Sequence, residues 1–283
     1  MITHVVDTAL WVAHIRAMES KRARAAFHDP LAALLAGEAG EAIARSIPHS
    51  SVVSWGVAIR TSAIDRLIGD ALRLGIDTVV NLGAGFDTRP YRMDIPSHVR
   101  WFEIDFPQLV DSKNRRLAPH TPACAVERIG MDLLDRASRN ALLARIADAS
   151  KGVLVISEGV IPYISNDEIA CLAKDLHAVG AFRFWIQDFD NAGARAKTPR
   201  SWADKFKAAP FLFQVDDWFD FFSQCGWEAR TVITSAEEAE RTHKPFPLTF
   251  PLGLLMHALP KSLRRKVQSA SGAVMMRRPS DAV

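Results

Sequence analysis

A β-branched run, Thr78-Val79-Val80, leads straight into Asn81-Leu82-Gly83-Ala84-Gly85-Phe86-Asp87-Thr88-Arg89-Pro90. An apolar run that turns on two glycines reads as a strand ending in a loop. The backbone N–H groups of such a loop can come close to a ligand. A second apolar run follows and ends in Glu103 and Asp105. An acid at the tip of that next strand suits the hydroxyls of a ribose. Together the two features point to a sheet that holds a nucleoside-containing ligand beyond its strand ends.

Around this loop the pattern alternates. Residues from about 5 to 74 read as helices. Leu31 to Gly37 forms a short one after the Asp29-Pro30 start signal, and Ser54 to Leu74 forms a long amphipathic one closed by Gly75. Strands are expected at Thr78–Leu82, Val99–Ile104, Cys124–Ile129, Gly152–Ser157, Phe182–Asp188, Trp227–Ile233 and Ala273–Arg277. Helices are expected near Pro107–Leu117, Arg139–Ala149, Asp167–Val179 and Val215–Cys225. Such alternation predicts an α/β fold, a Rossmann-like parallel sheet with helices on both faces. The chain divides into a helical cap (1–75) and a sheet core (76–283) within one domain. The stretch Asn191–Phe213 is longer than an ordinary crossover loop and suits a lid, giving a lid insertion at about 190–213. The stretch from Thr242 to Lys261 contains Pro245, Pro247, Pro251 and Pro260, so it is not one regular helix.

Composition closes off several function classes. Lys plus Arg total 35 against 32 Asp plus Glu, a net charge of +3 that is too small to argue for a nucleic-acid partner. No segment is long and apolar enough to span a membrane, and the N-terminus has no uninterrupted apolar stretch of signal-peptide type. Cys124, Cys171 and Cys225 are far apart, with neither a disulfide framework nor a zinc spacing. A reducing cytoplasm and a metal-free site are the expectation. Nothing in the sequence fixes the oligomeric state.

Four positions line up at successive strand ends: Gly83-Ala84-Gly85, Asp105, Asp132-Leu133 and Glu158. Each alone is weak; Asp132, for example, reads equally well as a helix cap. In order on one alternating pattern they argue for a cofactor site. The dinucleotide fingerprint asks for a third glycine where Thr88 stands, and the Gly-Lys-Ser/Thr phosphate loop is absent. The chain offers carboxylates instead: Asp87, Asp105, Asp132 and Glu158. They suit a ligand with a cationic ammonium and sulfonium and no phosphate, such as S-adenosyl-L-methionine. Asp105 would hold the ribose, Asp132 would accept from the adenine amino group, and Glu158 would hold the ammonium. Arg60 is the candidate for the ligand's carboxylate. A nicotinamide oxidoreductase shares the glycines and Asp105 but has no use for Asp132 and Glu158. A non-catalytic S-adenosylmethionine-binding module remains a further alternative.

The segments Asn81–Arg89, Phe102-Glu103-Ile104-Asp105-Phe106-Pro107 and Ser157-Glu158-Gly159-Val160 resemble the leucine carboxyl methyltransferase family. That family includes bacterial enzymes that methylate carboxyl or hydroxyl groups of polyketides, such as the tetracenomycin carboxyl methyltransferase. One of its branches modifies a tRNA base, which the near-neutral charge disfavours here. The resemblance runs from Ala17–Arg22 and His28-Asp29-Pro30 to the last strand. It implies a class I methyltransferase fold of seven strands and an S-adenosyl-L-methionine-dependent O-methyltransferase of a small organic acid or phenolic metabolite, with a carboxylate the preferred acceptor. By position it puts cofactor contacts on Arg60, Gly83 to Gly85, Asp105, Asp132, Leu133 and Glu158, and on an N-terminal base, Lys21 or Arg22. On the acceptor side no local motif carries over. Tyr163 and Arg200 are candidates to orient a carboxylate, and His243 is a candidate base for a hydroxyl. The cluster Phe211 to Phe222 reads mainly as core.

Overall fold

The computed structural model describes residues 5–47, 51–190, 210–247 and 270–279. Seven strands form one sheet: β1 (Thr78–Leu82), β2 (Arg100–Asp105), β3 (Ala125–Gly130), β4 (Val153–Ser157), β5 (Phe182–Asp190), β6 (Glu228–Thr234) and β7 (Ser271–Arg277). Their order is β3-β2-β1-β4-β5-β7-β6. β1 and β4 are buried along their whole length, as central strands covered on both faces must be. β3 and β6 lie at the edges and carry charge there, with Glu127 and Arg128 on one and Glu228 and Arg230 on the other.

β1 to β5 pair in parallel, but β7 runs antiparallel to both β5 and β6. The sheet is therefore mixed, not parallel throughout as the alternation suggests. Hydrophobic periodicity marks where a strand lies and is silent on its direction, and antiparallel neighbours need no crossover helix between them.

One face of the sheet is covered by α6 (Arg136–Asp148), α7 (Asn166–His177) and α8 (Trp218–Gln224). There Trp185, Phe213, Trp218, Phe222 and Trp227 pack edge-on and tilted against one another, so most of the aromatic cluster is core. The opposite face is covered by α3 (Ser51–Arg73), whose Ala63, Ile64, Leu67, Ile68 and Ala71 lie against strand residues such as Val79, Leu154 and Ile186. The C-terminal half of α3 is thus a layer of the sandwich and not part of a separate cap.

α1 (Val5–Ser20) packs on α2 (Ala32–Ser46), and together they roof the glycine loop and α5 (Pro107–Leu117). Gly37 interrupts α2 with φ 56° and ψ −166°, so the short helix expected from Leu31 ends there and the chain resumes helix to Ser46. Two short helices complete the described set: α4 (Arg89–Arg92) and α9 (Ser235–Arg241). None of the helices described is long and apolar enough to cross a membrane. The residues after α9 are strapped to the helical layer. Lys244 Nζ lies 2.6 Å from Glu19 Oε1, Trp55 Nε1 donates to the Lys244 carbonyl at 2.9 Å, and the Trp55 and Phe246 rings meet edge-on at 4.9 Å. Most of the expected lid, 191–209, and residues 248–261 of the proline-rich stretch lie outside the described residues.

Candidate active site

A cleft of about 1670 Å³ opens at the carboxyl ends of the parallel strands, where the order reverses between β1 and β4. A pocket for one small molecule is typically ~300–1,000 Å³, so two molecules fit side by side. Thr8, Ala9, Trp11 and Arg16 of α1 line it from above, and the loop after β1 lines it from below.

The glycine loop turns its donors inward. Gly83 and Ala84 N–H donate to the Ile104 carbonyl at 2.8 and 3.2 Å, and Gly85 N–H donates to Asp105 Oδ2 at 2.6 Å. Asp105 Oδ1 accepts from Phe106 N–H at 2.7 Å. Burial pushes the Asp105 carboxyl above the usual carboxylate range, against these two donors, which pull it down. The expectation that the loop presents N–H groups to a ligand is thus corrected. Its first three donors are consumed by β2, and what faces the cleft is close-packed backbone with one carboxylate beside it. Gly83 has φ 64°, and a β-carbon on it would lie 2.4 Å from Val160 Cγ2. The crowding that demands glycine comes from Val160, not from ligand space.

Below the loop lies a group of ion pairs centred on Arg89, whose side chain is 2% exposed. Arg89 Nε donates to Asp65 Oδ1 at 2.7 Å, Nη1 to Asp87 Oδ2 at 2.8 Å and Nη2 to Glu158 Oε2 at 2.7 Å. Arg92 holds both oxygens of Asp65 at 2.7 and 2.9 Å. Arg60 donates from Nε to Glu158 Oε1 at 2.9 Å and from Nη1 to Asp188 Oδ2 at 3.2 Å. Asp188 Oδ1 in turn accepts Gly159 N–H at 2.7 Å and so fixes the turn after β4. Burial alone would raise the Glu158 carboxyl, but Arg89 and Arg60 prevail and draw it down to about 2. Burial opposes Asp87 in the same way, and Arg89, with Lys113 and Arg16 beyond it, holds that carboxyl well below the carboxylate range. The Arg60 guanidinium is disfavoured by burial and raised above its ordinary value by Asp188 and Glu158.

The sequence pattern of the leucine carboxyl methyltransferase family matches residues 9–177. The chain belongs to that family. A Mycolicibacterium paratuberculosis protein is 34% identical over 275 residues, covering 87% of each chain. A Streptomyces avermitilis protein is 31% identical over 240 residues, covering 78% of this chain and 82% of the other. Both carry the provisional name S-adenosyl-L-methionine-dependent methyltransferase. Among solved structures, a DUF574 family protein from Streptomyces avermitilis superposes with a TM-score of 0.57 at 16% identity, over 94% of this chain and 97% of its own. A provisionally named methyltransferase from Thermobifida fusca superposes with a TM-score of 0.54 at 14% identity, over 89% of both. The fold is that of class I methyltransferases.

In this member of the leucine carboxyl methyltransferase family the strand-end residues singled out from sequence gather at the cleft. Arg60, Gly83, Ala84, Gly85, Asp87, Asp105, Asp132, Leu133, Glu158 and Tyr163 all line it. Asp132 stands exposed at the rim, where Oδ1 accepts Leu134 N–H at 2.9 Å. Tyr163 sits in a single 3₁₀ turn (Ile161–Tyr163) and stacks on Phe211 at 5.4 Å.

Three of the expected residues do not fit. Asp87 points under the loop, where Asn81 Nδ2 and the Arg89 backbone and guanidinium occupy its oxygens, so it buttresses the loop and is not a ligand group. Lys21 is exposed beyond the end of α1 and is absent from the cleft lining. The α1 base that does reach the loop is Arg16, which donates to the Phe86 carbonyl and pairs with Asp29 at 3.0 Å. His243 is also exposed and off the lining; with φ 54° and its N–H on the Glu240 carbonyl at 3.1 Å, it terminates α9. Arg200 lies outside the described residues.

Sequence reasoning does not reach Arg16, Asp65, Arg89 and Asp188, which hold the loop and the strand-end acids in place. Asp188 carried a signal, since it ends a strand recognisable from sequence beside other strand-end acids. Arg89 closes the most specific motif. Asp65 closes the segment Arg60–Asp65, which matches the family around Arg60. For Arg16, on a helix far from the loop in sequence, no local signal exists.

Proposed function

We propose that this chain is an S-adenosyl-L-methionine-dependent O-methyltransferase that methylates a carboxylate, or a phenolic hydroxyl, of a small natural-product metabolite of polyketide type. The inward-turned donors of the glycine loop support this reading most directly. A pyrophosphate needs backbone N–H groups aimed at it, whereas Gly83, Ala84 and Gly85 spend theirs on β2. A phosphate-free nucleoside with cationic substituents fits the carboxylates that remain. When bound, the cofactor supplies an activated methyl group for in-line displacement by an oxygen.

The chain's own residues position, neutralise and exclude water. Asp105 sits where a ribose diol would meet the loop, and α1 covers the cleft from above. Tyr163 brings a donor group to the Glu158 end, suited to orienting an acceptor oxygen, and Arg60 stays the candidate for the cofactor's carboxylate. Phe189, Phe213 and Phe221 line the adjoining stretch and suit the apolar body of an acceptor. No histidine lines the cleft among the described residues. Glu158, drawn down to about 2, is a poor proton acceptor at neutral pH. A carboxylate acceptor arrives ionised and needs no base, so it is the preferred substrate class. The cytoplasm is the proposed compartment, in keeping with three unpaired cysteines.

The test is incubation with methyl-labelled S-adenosyl-L-methionine and a panel of aromatic carboxylic acids and phenols, read by mass spectrometry. A labelled methyl ester or ether is expected. Cofactor binding with no labelled product from any acceptor would turn the reading towards a non-catalytic binding module.

A further inference from the structure

Glycine weakens the interior of a helix relative to alanine, so one that stays there calls for a reason. Gly40 of α2 has one in packing, because a β-carbon on it would lie 2.7 Å from the Leu10 carbonyl oxygen of α1. Gly56 of α3 has none of that kind. Its φ is not positive, and among the described residues nothing lies within 4 Å of where its β-carbon would stand. Val53, Gly56, Val57 and Arg60 are spaced i, i+3, i+4 and i+7, so they share one face of α3. All four line the cleft. Further along, Ala63, Ile64, Leu67, Ile68 and Ala71 continue the helix against the sheet. The first turns of α3 thus overhang the sheet and form a cleft wall. α1 supplies Trp11 and Val12, which join Val53 and Val57 in one apolar cluster and also line the cleft. Trp55 flanks the same wall, its indole held by the Lys244 carbonyl and the Phe246 ring. Gly56 therefore sits in the wall of an apolar recess.

We infer that Gly56 keeps this recess open for an apolar part of the methyl acceptor. The inference rests on the proposed O-methyltransferase function and narrows its substrate class to acceptors with a second ring or a branch beyond the methylated group. The cofactor has no claim on the recess. Its amino-acid end stops at the carboxylate for which Arg60 is the candidate, and Gly56 stands one helical turn beyond Arg60, about 6 Å along the axis. The side chains past that point are apolar and suit rings and alkyl groups. Any side chain at position 56 would take up part of that space, so the residue sets how large an acceptor fits.

Gly56→Ala and Gly56→Leu test this, with Gly69→Ala as the control. Gly69 is also a helical glycine of α3, but it is off the cleft lining, and a β-carbon on it would meet only Arg73 Nη1 at an ordinary 3.5 Å. Both alanine variants should raise the melting temperature by about 1–4 °C, since each removes the helix cost without a clash. Calorimetry with S-adenosyl-L-homocysteine should give all three variants the wild-type affinity within about threefold. Methyl transfer from S-adenosyl-L-methionine to naphthalene and benzene carboxylic acids, and to the matching phenols, would be compared as kcat/KM. Gly69→Ala should keep the wild-type ratio of two-ring to one-ring acceptors. Gly56→Leu should lower that ratio at least about tenfold, and Gly56→Ala by less. A lower melting temperature in Gly56→Ala would mean that the chain itself fills the recess. A tenfold loss of S-adenosyl-L-homocysteine affinity in Gly56→Leu would assign the recess to the cofactor, and an unchanged ratio would put the acceptor elsewhere. Each of these overturns the role of Gly56 and leaves the methyltransferase reading standing. A wild type that methylates nothing in the panel overturns both.

Discussion

Alanine at Gly83 would put one methyl group against Val160. The backbone there has φ 64°, and the new carbon would lie 2.4 Å from Val160 Cγ2. Left-handed backbone costs an L-residue about 1–2 kcal/mol. Forcing a methyl into filled space costs about 1–3 kcal/mol more. Gly83→Ala should therefore lose about 2–5 kcal/mol, a large share of the ~5–15 kcal/mol that holds a typical domain together. Because the obstacle is a side chain, Val160→Ala makes room for the methyl. In the double variant the clash disappears, leaving the backbone cost and the separate loss from truncating Val160. The expected coupling between the two sites is thus about 1–3 kcal/mol, favouring the pair over the sum of the singles. Urea unfolding of the wild type, both singles and the double gives this number, and calorimetry with S-adenosyl-L-homocysteine on the same four proteins reads the site. If Gly83→Ala unfolds like the wild type but binds more weakly, the methyl points into ligand space and the reasoning about Val160 fails. Additive losses would refute it too.

Three further outcomes are expected. Arg89→Met should cost about 3–5 kcal/mol, because it strands buried carboxylates without their cation; an unshifted urea midpoint would contradict the central place of Arg89. Asp105→Ala should weaken S-adenosyl-L-homocysteine binding by about ten- to a hundredfold in calorimetry, through loss of charge-assisted hydrogen bonds. Unchanged affinity would remove Asp105 from the ribose. Acid should destabilise the protein through Glu158, whose folded-state value of about 2 lies below its ordinary 4.5. A depressed carboxylate contributes fully above about pH 5, and the contribution fades as pH falls towards 2, for a total of about 3 kcal/mol. Urea midpoints at pH 7, 5, 4 and 3 should fall only over the last interval or two, and a midpoint constant down to pH 3 would refute the ion pairing.

The strands were legible in the sequence because β-branched runs such as Thr78-Val79-Val80 serve buried parallel strands and little else. Boundaries drifted where a cap decided them. The helix expected from Val215 begins at Trp218, because Asp217 accepts Asp220 N–H at 3.0 Å and starts it there. Strand direction was not legible, and β7 is the result. At the site, composition and position found the strand-end acids. They did not reveal which way each acid faces. Asp87 and Asp105 are both acids beside the same loop; Arg89 draws one underneath, while Gly85 and Phe106 N–H hold the other at the cleft. Arg89 is itself held in place by Asp65 of α3, and Arg16 of α1 adds its charge to Asp87, contacts that leave no trace in local spacing.

The inward-facing loop has a consequence for life among abundant nucleotides. Adenosine phosphates and dinucleotide coenzymes present the same base and sugar that this cleft would grip. Here their phosphates would meet amides already bonded to Ile104 and Asp105. On the proposed function, rejection of those competitors starts in the backbone of the first turn, before any side chain has read the rest of the molecule.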